Sequence, residues 1–159
     1  MKIVHLCLGN FFIDGYSYQE NMLPKYHVKM GYDVTVIASL FSFNEKGKGC
    51  LLDGYSEYED NNGFHVVRLP YKNPLRINRI LRHYCRFEEI LDREDPDIVF
   101  CHSVSFGDIA VLVKYLKQHP SVKVYADNHG DYINSARNFL SKHILHSLIW
   151  RHYAKMLEP

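Results

Sequence analysis

The sequence predicts a doubly wound α/β domain with a mainly parallel sheet, and three observations carry that prediction. Short apolar runs of strand length alternate with helix-length stretches along the 159 residues. Most of the runs are continuously apolar, as strands buried on both faces require. The connections leave room for crossover helices, and such crossovers are right-handed and join parallel strands.

The first run, Ile3-Val4-His5-Leu6-Cys7-Leu8, ends at Gly9-Asn10. Ser17 follows as a prospective N-cap, with Glu20 three residues on at capping-box spacing. The helix is expected to reach Met30 and stop at Gly31, with Pro24 disturbing its first turns. Val34 to Ile37 is β-branched and reads as the second strand. Leu40 to Asn62 shows no clean period and carries Gly47, Gly49 and Gly54, with Gly63 next. The stretch 40–63 is therefore expected as a long mobile loop with room for a short hairpin. Phe64 to Leu69 is the third strand. Ile77, Ile80, Leu81, Tyr84, Phe87 and Leu91 recur at helical spacing, predicting one amphipathic helix that carries arginines on its other face. Asp95-Pro96-Asp97 breaks it. Ile98 to Cys101 is strand four, Gly107 to Gln118 a helix, Val122 to Ala126 strand five, and Ser135 to Met156 a last helix. That helix has no stop signal before Pro159, so the chain reads as a domain cut from a longer protein.

Apolar residues make up 47% and charged residues 23%, as in an ordinary globular domain, and the net charge of +1 gives no reason to expect a nucleic-acid partner. The basic residues cluster, however. Arg68, Lys72, Arg76, Arg79, Arg82 and Arg86 fall in an acid-free stretch, which predicts a positive face suited to anionic ligands or an anionic membrane. Four cysteines without CxxC spacing suit a reducing compartment, and no stretch has transmembrane or signal character. The expected location is cytoplasmic.

Ligands of open α/β sheets sit outside the carboxyl ends of the strands. Asn10 to Ser17, His102 to Ser105 and Asp127 to Asp131 are expected to meet there. Gly15 reads either as a diphosphate contact before a helix N-terminus or as a turn glycine. Asp127-Asn128-His129-Gly130-Asp131 reads either as a site with His129 as acid, base or donor, or as an Asx-rich loop. No GxGxxG, GxxxxGK[ST] or GxSxG occurs, which removes support from nicotinamide dehydrogenases, P-loop NTPases and elbow hydrolases. No metal-ligand spacing is recognised.

Ile3 to Leu6, Asp14-Gly15-Tyr16-Ser17-Tyr18-Gln19-Glu20-Asn21 and Gly31-Tyr32-Asp33-Val34-Thr35-Val36-Ile37 together resemble the opening of family 4 glycosyltransferases of the GT-B fold. Pro96 to His102 is similar to their fourth-strand segment, and Asp127 to Asp131 to the stretch after their fifth strand. The resemblance implies the N-terminal, Rossmann-like half of a retaining enzyme. Such an enzyme moves a sugar from a nucleotide-sugar donor to a glycan or lipid-linked acceptor and needs no cofactor or obligatory metal. It implies His129 and Asp127 as catalytic residues and Gly15 at the donor phosphate. Asn10, Tyr16, Ser17, Tyr18, His102 and Asp131 would lie on the acceptor side. A departure is Asp14 before Gly15, where many members carry a Gly-Gly pair. The resemblance also implies that this half alone is inactive. The arginine-bearing helix from Ile77 to Leu91 is the segment that could lie on anionic lipid, at the inner face of the membrane. Two other readings share the fold: a stand-alone flavodoxin-like binding module and half of a nucleotide-sugar epimerase.

Overall fold

The computed structural model describes residues 1–72, 76–127 and 148–157. Its centre is a six-stranded sheet. The strands are β1 (Lys2–Cys7), β2 (Asp33–Ser39), β5 (Ser56–Glu59), β6 (His65–Leu69), β7 (Ile98–His102) and β8 (Lys123–Asp127), in the order β5-β6-β2-β1-β7-β8. Every pairing is parallel except β5 with β6. The α/β fold class expected from the sequence is thus present. Counting parallel strands along the chain gives 3-2-1-4-5, the dinucleotide-fold order, and not the 2-1-3-4-5 of a flavodoxin-like module.

Alternation along each strand explains why the runs are apolar throughout. Val4, Leu6, Ile37, Val67, Leu69, Val99 and Cys101 face one layer, against α3 (Phe87–Glu94) and α4 (Ile109–Gln118). Cys7, Val36, Ala38 and Val66 face the other, with Phe12, Phe64 and Val28 of α1 (Gln19–Lys29). Burying each of these larger side chains contributes about 1.5–3 kcal/mol.

Helix α1 is docked differently from α3 and α4, because its inward face is polar. Asn21 Nδ2 donates to the Ile13 carbonyl at 2.8 Å, Glu20 accepts from Asn10, and His27 meets His5. The expected capping box is not formed. The N-cap is Tyr18, with no side-chain cap bond, and Ser17 is exposed while Glu20 serves Asn10. Pro24 is accommodated inside the helix, buried.

The stretch from Leu40 to Asn62, expected as a loop with a short hairpin, carries more structure than that. Phe41–Phe43 (β3) pairs antiparallel with Gly49–Leu51 (β4), and β5 then extends the main sheet. On that edge His65 sits between Glu57 and Glu59, at 2.9 and 3.0 Å.

The single helix expected from Ile77 to Leu91 is two. Helix α2 (Arg76–Leu81) ends at Arg82, α3 begins after Arg86, and both arginines have left-handed backbone, φ 56° and 61°. Tertiary bonds outweigh the helical periodicity here. Asp108 accepts from the Tyr84 amide at 2.7 Å, Tyr84 Oη donates to the Leu8 carbonyl at 2.9 Å, and the Gly107 amide donates to the Arg82 carbonyl at 3.1 Å. Among the described residues the basic side chains of this stretch take different roles. Arg68 is fully buried, Arg86 pairs with Glu89, and Arg82 caps carbonyls. The last helix, expected over Ser135 to Met156, is described only at its end, where α5 spans Arg151–Leu157.

Arg68 is the largest fully buried side chain among the described residues. Its guanidinium donates to the Phe12 and Ser39 carbonyls (2.9 Å each), to Asp14 Oδ2 (2.6 Å) and to Tyr58 Oη (3.0 Å). Arg68→Met would leave two buried carbonyls without their donor, at about 1–3 kcal/mol each. The expected loss, read from urea unfolding, is therefore about 2–6 kcal/mol. Lysine is expected to rescue little of it, because an ammonium cannot span a fork of acceptors. A loss below 1 kcal/mol in Arg68→Met would contradict this account.

Candidate functional site

The crossovers from β1 and β7 leave in opposite directions, to β2 and to β8, and open a crevice at the carboxyl ends of β1 and β7. Three features build its floor. Gly9, two residues beyond β1, runs so close to the chain after β7 that a Cβ there would lie 2.7 Å from the Ser103 carbonyl oxygen. Ser103 has left-handed backbone, φ 69°, and its Oγ is 2.7 Å from Ser105 Oγ. Backbone bonds then stitch the edge beyond the strands: the Asn10 amide donates to the His102 carbonyl (3.2 Å), and the Ser103 amide to the Asp127 carbonyl (3.1 Å).

The residues expected from the sequence separate into groups. Asn10, His102 and Asp127 converge on this edge. Asn10 Nδ2 donates to Glu20 Oε1 at 2.9 Å, and Asp127 Oδ2 accepts from Gln19 Nε2 at 2.7 Å. His102 is fully buried, so it supports the edge from beneath rather than lining its surface. Gly15 lies in an exposed turn with φ 75°, and no atom stands within 4 Å of where a Cβ would be. Glycine is needed there for the backbone conformation, not for packing room. Tyr16 and Tyr18 are exposed and 5.3 Å apart. Tyr16 stacks on Phe43 at 6.0 Å, Phe43 meets Phe41 at 5.4 Å, and Phe41 meets Phe11 at 4.2 Å. The β3–β4 hairpin thus completes an aromatic cluster beside the crevice. His129 and Asp131 lie outside the described residues.

Arg82 belongs to the site although its spacing marked it as a solvent-facing helix residue. Its Nη1 donates to the Gly9 carbonyl and to the Ser105 carbonyl (2.9 Å), and the guanidinium stands 5.5 Å from the Phe11 ring. Gly9 is a second residue of the site that belongs to no spacing motif. Its signal was the abrupt Gly-Asn end of the first apolar run.

Among the described residues the edge is rich in hydrogen-bonding groups and poor in nucleophiles. Burial pushes the Cys7 thiol well up, and burial beside Asp127 pushes Cys101 up to about 12, so neither is a thiolate near neutral pH. Among the described residues no cluster of His, Cys, Asp or Glu could hold a metal ion. Such an arrangement suits recognition of a polar, hydroxylated ligand. A cleft of about 550 Å³ lies at the opposite, amino-terminal edge, beside Asp95, Asp97, His119 and Lys123.

Two measurements follow. Gly9→Ala is expected to cost about 1–3 kcal/mol through overpacking against Ser103. Gly15→Ala should cost about 1 kcal/mol, from the left-handed backbone alone. A Gly9→Ala loss below about 1 kcal/mol in chemical denaturation would refute the close-approach role of Gly9. The second concerns acid. Burial holds His5 well below the ordinary histidine range, and the nearby His102 and His27 add to the effect. The unfolded chain therefore takes up the proton first. Stability is fully present above about pH 6.5 and declines as pH falls, by at most about 1.4 kcal/mol per pH unit for this group. His5→Phe should flatten that decline between pH 7.5 and 5.5 in urea midpoints, and an unchanged slope would assign it to other groups.

One comparison with known proteins agrees with the fold. The sequence profile of Glycosyltransferase Family 4 matches residues 22–158. That span begins inside α1, so β1 and its loop are identified by topology rather than by the match. No curated protein and no solved structure matches the chain. With the profile covering most of its length over a 3-2-1-4-5 sheet, the chain belongs to glycosyltransferase family 4.

Proposed function

We propose that this chain is the acceptor-side domain of a retaining glycosyltransferase that moves a sugar from a nucleotide-sugar to a glycan or lipid-linked acceptor. The observation that carries the reading is the crevice between β1 and β7. Asn10, Glu20, Arg82 and Ser105 gather at it, with the exposed Tyr16, Tyr18 and Phe43 alongside. Hydroxyl groups of a sugar take the polar contacts, and the flat, apolar faces of the aromatic rings accept a pyranose ring.

In this reading Asn10, Tyr16, Ser17 and Tyr18 contact the acceptor, and Asp131 joins them. His102 acts from beneath. His129 assists at the transferred sugar by hydrogen bonding, with Asp127 beside it, and Gly15 lies near the donor diphosphate. Configuration is retained and no metal is required. The donor nucleotide is held chiefly by a second domain, so these 159 residues alone leave a nucleotide-sugar unturned. A cytoplasmic setting, at the inner face of a membrane, belongs to the same reading. Its support is four free cysteines. Separately, no helix of the described residues is long and apolar enough to cross a membrane.

A panel of nucleotide-sugars tests this directly. A longer protein containing the chain together with a donor-binding domain is expected to transfer or slowly hydrolyse one of them, and the chain alone none. In the longer protein His129→Ala should lower kcat by roughly 10²-fold, the scale of one hydrogen bond made in the transition state. Efficient turnover by the chain alone would sink the domain assignment, and unchanged turnover in His129→Ala would remove that residue from the site.

A further inference from the structure

Three histidines from three elements stand in line through the interior, on the α1 side of the sheet. His27 Nδ1 lies 2.9 Å from His5 Nε2, and His5 Nδ1 lies 2.9 Å from His102 Nε2. His102 Nδ1 then faces Asp127 Oδ2 at 3.6 Å, an electrostatic distance slightly beyond a direct hydrogen bond. His5 and His102 are fully buried, and His27 reaches partial exposure on α1. The acceptor-side reading gives no role to His5 or His27.

A neutral imidazole has one N–H and one bare nitrogen. Each link therefore needs a donor from one ring and an acceptor from the next, and only two complete assignments exist for three neutral rings. In one, every ring donates from Nδ1 and the N–H bonds all point from α1 towards Asp127. In the other, every ring donates from Nε2, and His102 turns a bare lone pair towards a carboxylate. At 3.6 Å in a site of low dielectric that juxtaposition is repulsive, whereas an Nδ1–H there is attractive. The carboxylate thus selects the first assignment.

We infer that His27, His5 and His102 form a directional hydrogen-bonded array, oriented by Asp127, that holds His102 in its Nδ1–H tautomer and couples helix α1 to the end of β8. Gln19 Nε2 donates to the same Asp127 oxygen at 2.7 Å. Helix α1 consequently grips that carboxylate twice, directly from its first residue and, through two further rings, from its last turn. The surroundings favour uncharged rings. His5 packs against the Phe100 ring (5.5 Å), Phe100 against His102 (5.0 Å), and His27 edge-on to Tyr32 (5.9 Å). Cys7 and Cys101, on the same strands as His5 and His102, are both held as thiols, and Glu20, on the same helix as His27, is engaged by Asn10. His5, His27 and His102 are positioning residues in this scheme, since Asp127 is the group they present at the edge. The inference does not depend on sugar transfer and stands for any chemistry at that crevice.

The test is the tautomeric state itself, read from long-range ¹H–¹⁵N correlations of the ¹⁵N-histidine-labelled chain at pH 7.5. A single Nδ1–H pattern at His5 and His102 is expected. Asp127→Asn removes the charge that sets the direction, and its expected result is loss of the single pattern, with both tautomers at His102. His27→Leu, made at the part-exposed end, is expected to keep Nδ1–H at His5 and His102, because the direction is set from the other end. Nε2–H or a mixture in the unaltered chain overturns the array. An Asp127→Asn spectrum with the single Nδ1–H pattern intact overturns the role given to Asp127. Loss of Nδ1–H at His102 in His27→Leu would overturn the direction of control.

Discussion

Arg68 carries a guanidinium into the layer between the sheet and α1, where water does not reach it, and desolvation obliges the chain to supply acceptors there. They come from the segment after β1 (Phe12 and Asp14), from the end of β2 (Ser39) and from β5 (Tyr58). The Phe12 ring lies 4.9 Å from the same guanidinium. A buried ionic group of this kind contributes modestly to net stability, since desolvation cancels much of the attraction. Its larger effect is geometric. A planar fork accepts few arrangements of partners, so the loop from Asn10 to Tyr18 is drawn against the sheet in one register.

The crevice follows from that placement. With the loop held, Asn10 can reach Glu20 on α1 and the His102 carbonyl at once. Helix α1 then settles through hydrogen bonds as well as through the packing of Val28 and Pro24, and its position is sensitive to direction as well as distance. The opposite flank is held by the break between α2 and α3, where Arg82 and Tyr84 both reach back to carbonyls at the end of β1. Left-handed backbone at Arg82, Arg86 and Ser103 marks where local preference gives way to these contacts. Strain of this kind persists only where surrounding contacts over-determine it, and two of these three residues sit at the crevice.

Legibility followed the type of force involved. The strand β1, read as Ile3 to Leu8, and the strand β7, read as Ile98 to Cys101, were visible because hydrophobic burial imprints a run on the chain. The helix break at Arg82 was invisible. Ile80, Leu81, Tyr84 and Phe87 keep helical spacing, and the bonds that interrupt them come from Asp108 and Leu8, far along the chain. Asn10, His102 and Asp127 could be placed on one edge from the end of each strand, but neither the burial of His102 nor its line to His27 has any local signature.

The sequence by itself determined the class of fold, the parallel strands and the edge on which polar loops gather, because periodicity and β-branching are properties of neighbouring residues. Tertiary structure alone decided which arginines are buried, which glycine admits a second chain, and which histidines share protons. Those outcomes depend on contacts across tens of residues: 29 between Ser39 and Arg68, and 97 between His5 and His102. Hydrogen bonds and buried charges are directional and short-ranged, so their partners exist only once the sheet has set its strand order.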